Sequence, residues 1–339
     1  MDLSIDRWEG MTTADRETVA RRLASELPTG FAFESLRTCR LVDRWHPVAF
    51  YREGDARFAL IPGGTASIGF DPEGWEPDPD ERESWESTAE EYEFEGTISD
   101  HVARATSRVR PIELAPLLVE TVPFEPGWEA IGPDDPEVRE ILREYGSSRR
   151  VEASREGTST RVTRGEDGSI LAERSLARTH AELAAQLRAS GFRFPTSDEW
   201  EYLCGGGAPT LFRWGDHAPR DRYPTDISPE EADWRRQWAL SAGKLERPPG
   251  GFASDWDYHR QPNAFGLSIA SDPYKSELVA EAGTTRGGDG GCAICGGAGF
   301  FVAWLILATS YFEESDCKHD PSKSISQGYT IGRRVLDLR

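Results

Sequence analysis

Lysine is scarce in this chain: Lys244, Lys275, Lys318 and Lys323 are the only four among 39 basic residues, and arginine supplies the rest. Basic charge as a whole also falls short, 39 residues against 59 acidic ones, for a formal net charge of −20. A field of that sign repels phosphate backbones and anionic headgroups, so no nucleic acid and no membrane surface is expected as a partner. Long apolar runs are missing too. The longest, Ala298 to Thr309, covers 12 residues, short of the roughly 20 that span a bilayer. No basic stretch followed by an apolar one opens the sequence, so no secretory signal is read and a cytoplasmic location is expected. Cysteine is sparse and odd in number: Cys39, Cys204, Cys292, Cys295 and Cys317. That disfavours a disulfide framework and marks the tight pair Cys292/Cys295 as metal-binding or redox-active.

Enough apolar residues remain, 37% of 339, to fill a substantial core at this length. An amphipathic helix that Thr13 can cap carries Val19, Ala20, Leu23 and Leu27 on one face, and residues 1–55 are expected to form a helical extension outside the main domain. Phe58 to Phe70 alternates around Pro62-Gly63-Gly64 as a hairpin does. Two polar insertions follow, residues 71–100, dense in acids and expected as a solvated loop, and residues 147–175, rich in Ser, Thr, Arg and Gly and expected as an exposed hairpin or mobile loop. Between them Asp135-Pro136 starts a short helix. Thr179 with Glu182 and Thr196 with Glu199 have the spacing of capping boxes, and Ser228 starts a further helix holding Trp234 and Trp238.

Several segments in order resemble one family. LIPGGTASIG (60–69), GFRFPTSDEWEYLCGGG (191–207), Arg213-Trp214-Gly215-Asp216, Asn263-Ala264-Phe265-Gly266-Leu267, Arg286-Gly287-Gly288 and Ile331-Gly332-Arg333-Arg334-Val335 are similar to the motifs of the formylglycine-generating enzymes, also called sulfatase-modifying factors. The resemblance spans about residues 56 to 339. It implies an α+β domain of the C-type lectin-like fold with little regular secondary structure, and in one branch a copper-dependent oxidase that acts on a peptidyl cysteine. Relatives include inactive paralogues, and fold analogy does not choose among them.

In the oxidase branch the first active-site cysteine lies four residues after the second glycine of the RGG motif, which corresponds to Cys292 here. The second comes five residues later, at Gly297, whereas this chain has Cys295. Two thiolates on a short glycine-rich loop suit a soft ion such as Cu(I). The expected arrangement therefore has Cys292 and Cys295 holding the metal and Asp289 orienting water or substrate, with Trp304 and Arg286 in the substrate pocket. The expected activity is a metal-dependent oxidase or oxygenase acting on a small-molecule or peptidyl thiol. Zinc is the rival ion, with Cys317 and His319 completing a Cys3His set. Asp272 and Glu277 leave carboxylates where the family carries calcium, so that ion stays open as well. The reading from another class is a non-catalytic lectin-like binding or scaffolding protein with Cys292/Cys295 as a structural clip.

Overall fold

The structure, a computed structural model, describes residues 2–146, 148–155, 158–219, 222–225, 258–312 and 320–338. The expected helix with Trp234 and Trp238 lies outside the described residues, as do Cys317 and His319. The chain is mixed α+β, with several mainly antiparallel sheets. Among the described residues no helix is long and apolar enough to cross a membrane.

Five strands form the central sheet: β1 (Phe31–Leu41), β2 (Arg44–Glu53), β3 (Ala56–Ile61), β6 (Leu117–Glu120) and β14 (Val335–Asp337), in the order β1-β2-β3-β6-β14, each pair antiparallel. The last strand thus returns to the chain's first sheet as its edge, beside β6. Successive side chains point to opposite faces of a strand, and here both faces are buried. Val48, Phe50, Ala59, Ile61, Leu117 and Val119 share one core with Trp200, Leu203 and Cys204 of α7 (Ser197–Gly205). Ala49, Tyr51, Phe58, Leu60 and Leu118 share the other with Ala20 and Leu23 of α2 (Thr13–Glu26) and with Leu183 and Leu187 of α6 (His180–Ala189).

The boundary expected at residue 55 is therefore corrected. Residues 31–53 are β1 and β2 of the sheet itself, and α2 covers one of its faces, where the Tyr51 hydroxyl donates to the Ala20 carbonyl at 3.0 Å. Ala20 and Tyr51 have no exposed surface. The helix is capped by Thr12, whose hydroxyl accepts from the Asp15 amide, one position earlier than the sequence suggests.

The expected hairpin around Pro62-Gly63-Gly64 does not form. β3 pairs with β2 and β6, while β4 (Gly64–Ile68) pairs with β5 (Arg110–Leu114). The backbone of Gly63 is taken by the N-terminal segment: its amide donates to Leu3 at 3.0 Å and its carbonyl accepts from Ile5 at 2.7 Å.

Both polar insertions carry regular structure. The acidic one holds α3 (Pro79–Tyr92) and α4 (Ile98–Ala105), each opened by a capping box, with Glu81, Trp85 and Val102 buried. The second contributes β8 (Arg150–Arg155), β9 (Thr158–Arg164) and β10 (Ile170–Ser175), which join β7 (Trp128–Ile131) in the order β7-β10-β9-β8. With α5 (Pro136–Glu144) this sheet buries a small separate core of Val138, Ile141, Val162 and Ala172. The Arg161 guanidinium lies 3.8 Å from the Trp128 ring centroid, so a charged side chain lies against the aromatic face. A three-stranded sheet, with β12 (Thr285–Arg286) antiparallel and β13 (Thr330–Ile331) parallel to β11 (Ser276–Leu278), leads into the glycine-rich segment.

Candidate functional site

Cys292 and Cys295 begin and end a single helical turn, α8 (Cys292–Cys295). Glycines make the turn possible. Gly288, Gly290 and Gly291 have φ of +66°, +73° and +86°, a region that side-chain-bearing residues rarely enter. Asp289 sits among them and closes the turn's N-terminus: its two carboxylate oxygens accept from the amides of Gly291 at 2.7 Å and Ala293 at 2.8 Å. The Cys295 amide donates to Gly291 at 2.8 Å, and the Gly296 amide to Cys292 at 2.8 Å. Residues three apart on a helix share a face, with Cβ atoms about 5–6 Å apart. Both cysteines are exposed and neither is in a disulfide.

Tyr274 is packed on this turn. Its ring lies against Gly291, where a Cβ would collide with it, and its hydroxyl is 3.5 Å from Cys295 Sγ. That contact holds the phenol above its ordinary pKa. The other cysteines among the described residues are different in kind. Cys204 is fully buried, and burial pushes its thiol up to about 12; Cys39 is half-buried and is pushed the same way.

Helix α3 supports the stretch that follows the turn. Tyr92 donates its hydroxyl to the Gly296 carbonyl, Thr88 Oγ1 accepts from the Gly299 amide at 2.9 Å, and Ser84 Oγ accepts from Phe301 at 3.3 Å. These three residues repeat at intervals of four, which stacks them on one helical face. The acidic composition of 71–100 obscured that stripe, although the spacing Ser84, Thr88, Tyr92 was present in the sequence. Phe301 then enters α9 (Phe300–Leu305), whose Trp304 is buried.

Beside the turn is a cleft of about 210 Å3, lined by His101, Arg104, Asp289, Ala293 and Phe312 among others. Cys292 and Cys295 are not in its lining. At 100° per residue, Ala293 points ~130° away from the bisector of the two cysteines, so cleft and thiols occupy different sides of the turn. The His101 ring stacks on Trp85 with centroids 4.4 Å apart, and burial, helped by Arg104, pushes its pKa down to about 4. The imidazole is thus neutral near pH 7.

Arg286 and Trp304, expected in a substrate pocket, lie in the fold's interior. Arg286 donates to Ser197 Oγ at 2.7 Å, to the Tyr311 carbonyl at 3.0 Å and to Glu201 at 3.4 Å. Trp304 has no exposed surface and donates its indole N–H to the Arg222 carbonyl at 2.9 Å. The structure therefore brings Asp289, Cys292 and Cys295 together and sets the other two apart. Asp289 acts as a cap there, with both oxygens engaged by the backbone.

Of the carboxylates considered for calcium, Asp272 accepts from the Tyr274 amide at 2.9 Å, and buried Glu277 is paired with Arg333 at 2.8 Å. A separate group, Asp78, Glu81 and His217, has ligand atoms within 4.8 Å of one another. Glu81 is already engaged there, accepting from Ala218 at 2.7 Å and Asp78 at 2.9 Å and contacting His217 Nδ1 at 3.2 Å. The bonds to His217 and Ala218 tie those two residues to α3. No protein-family model matches this chain, and no curated protein matches it.

Proposed function

We propose that this protein is a divergent relative of the formylglycine-generating enzymes, with their C-type lectin-like fold, and that Cys292 and Cys295 form a soft-metal site for copper-dependent oxidation of a thiol-bearing small molecule or peptide. The observation that carries the metal site is the pairing of two exposed, unbridged cysteines on one helical turn. Such a donor set fits Cu(I) and is a poor match for calcium or magnesium. Copper held by Cys292 and Cys295 would supply the dioxygen activation that thiol oxidation needs. The chain's own contributions are the Asp289 cap, which fixes the turn, and Tyr274, whose hydroxyl touches Cys295.

The family reading is supported by how the matching motifs interlock. Asn263 of the NAFGL segment donates to the Leu203 and Cys204 carbonyls at 2.6 and 3.2 Å, ending the helix of the WEYLC segment. Arg286 of the RGG segment reaches Glu201 in the same helix. Substrate would approach the exposed thiol side of the turn.

Anaerobic titration with Cu(I), with elemental analysis, tests this. One tightly bound copper per chain is expected, lost in Cys292→Ser and in Cys295→Ser, with oxygen consumption only after a thiol substrate is added. Equally weak copper binding by the wild type and both variants would overturn the site and leave the non-catalytic binding role in its place.

A further inference from the structure

Strand β1 is the outermost strand on one side of the central sheet, and its residues 35–41 pair with residues 44–50 of β2 in unbroken register. Alternate amides and carbonyls along 35–41 therefore point away from β2. Among the described residues no backbone hydrogen bond reaches that outer row. An unpaired strand edge is a template for another extended chain, and proteins manage such edges by shortening, covering or charging them. β1 is 11 residues long, and the charge it carries here is of one sign.

Arg37, Arg40 and Arg44 are all exposed, and Asp43 is the sole acid between residues 35 and 45. The nearest carboxylates are engaged elsewhere: Glu34 is paired with Arg52 and Arg57, and Glu9 contacts His46. None of the three arginines is in an ion pair among the described residues. Arg40 donates its Nε–H to the Val42 carbonyl at 2.7 Å, which holds it at the tip of the hairpin. Residues directly opposite in an antiparallel pair share a face. Arg40 lies opposite Trp45 and Arg37 opposite Val48, so Trp45 stands beside Arg40 while Arg37 is on the other face. Trp45 is 60% exposed, and tryptophan is the kind of side chain that anchors protein interfaces.

These features select one kind of partner. A second copy of the same edge would bring arginines against arginines. A nucleic acid or a lipid headgroup has the opposite charge but no peptide groups to pair with β1. Charges beyond about 8 Å are largely screened at physiological salt, so an incoming segment meets the local arginines rather than the remote acids behind the net charge of −20.

We propose that the outer edge of β1 docks an extended acidic segment of a partner protein, which adds to the sheet as a further strand with its carboxylates on Arg37, Arg40 and Arg44 and an apolar side chain on Trp45. In this mode main-chain pairing supplies affinity and the alternate side chains supply specificity. The surface is independent of the copper reading.

The test is titration of the full chain, isotope-labelled for amide NMR, with a capped peptide that alternates glutamate and valine and is about as long as β1. Saturable shifts centred on residues 35–45 are expected, weakening as salt is added. The same peptide with lysine for glutamate, or with alternate amides N-methylated to block strand pairing, is expected not to bind. Arg37→Ser/Arg40→Ser, at exposed positions, is expected to weaken binding about ten-fold with an unchanged thermal melt. Arg37→Glu/Arg40→Glu is expected to reverse the preference towards the lysine peptide. The proposal is overturned if the glutamate peptide gives no saturable shifts at this edge, or if the lysine or N-methylated peptide binds as well. Shifts of the same residues with protein concentration alone would show two β1 edges pairing with each other and would also overturn it.

Discussion

Arg333 and Glu277 form an ion pair at 2.8 Å with 0% and 2% of their side chains exposed. The guanidinium also donates to the Glu120 carbonyl at 2.5 Å and the Ser268 carbonyl at 2.7 Å. One arginine thereby ties the central sheet, the loop at 268 and β11 together. Breaking one partner of a buried pair leaves an uncompensated charge, a loss of about 3–5 kcal/mol. Arg333→Met is expected to fall in that range by urea denaturation. The double variant Arg333→Met/Glu277→Leu is expected to recover part of the loss; an Arg333→Met protein as stable as wild type would refute the coupling.

The stripe on α3 makes a second prediction. Thr88→Val removes the acceptor for the Gly299 amide, and Tyr92→Phe the donor to Gly296. Each change is expected to cost about 0.5–1.5 kcal/mol and to raise amide exchange across residues 296–301. Exchange that stays at the wild-type rate would show that α3 does not hold the loop.

Tyr274 is expected to tune Cys295. The Tyr274 hydroxyl lies 3.5 Å from Cys295 Sγ, so Tyr274→Phe is expected to change the rate at which iodoacetamide alkylates that thiol near neutral pH. Cys292 is the internal control, read by mass spectrometry of the same sample. Gly291→Ala, which puts a Cβ into the Tyr274 ring at φ +86°, is expected to destabilise the turn by more than about 1 kcal/mol. Unchanged alkylation profiles in Tyr274→Phe would remove Tyr274 from the site.

Stability is expected to depend on pH through His101. Burial depresses its pKa from 6.5 to about 4, so the unfolded chain takes up a proton that the folded one refuses. The contribution is fully present above pH 6.5 and is lost as pH falls towards 4, by about 2 kcal/mol at pH 5. His259 is depressed in the same direction, to about 3, by burial and neighbouring arginines. The reading is therefore the difference between wild type and His101→Phe, a variant that keeps a ring against Trp85. Its stability is expected to fall less between pH 6.5 and 5; parallel curves would count against a buried neutral His101.

Local features were legible in the sequence wherever neighbours along the chain decide them. The capping boxes at Thr179/Glu182 and Thr196/Glu199 form as their spacing implies, because an N-cap and its partner lie within one helical turn. The Cys292/Cys295 pair was legible for the same reason, and so was the Asp289 position beside it. The lack of a long apolar run agrees with the structure, in which no helix among the described residues is long and apolar enough to cross a membrane.

Only the tertiary structure decided where those pieces go. Residues 31–53 read as an appendage, yet they supply two strands of the central sheet, since strand pairing joins residues far apart in sequence and leaves only a weak local pattern. Gly63 had the composition of a hairpin turn, but Leu3 and Ile5 compete for its backbone. Arg286 and Trp304 stood next to the cysteines in the chain and are directed into the core, where Glu201 and the Arg222 carbonyl receive them. The sequence alone therefore determined the charge, the caps and the paired thiols, which are set by covalent neighbours. Burial, which depends on contacts across the whole chain, decided which of the nearby side chains stand at the surface with them.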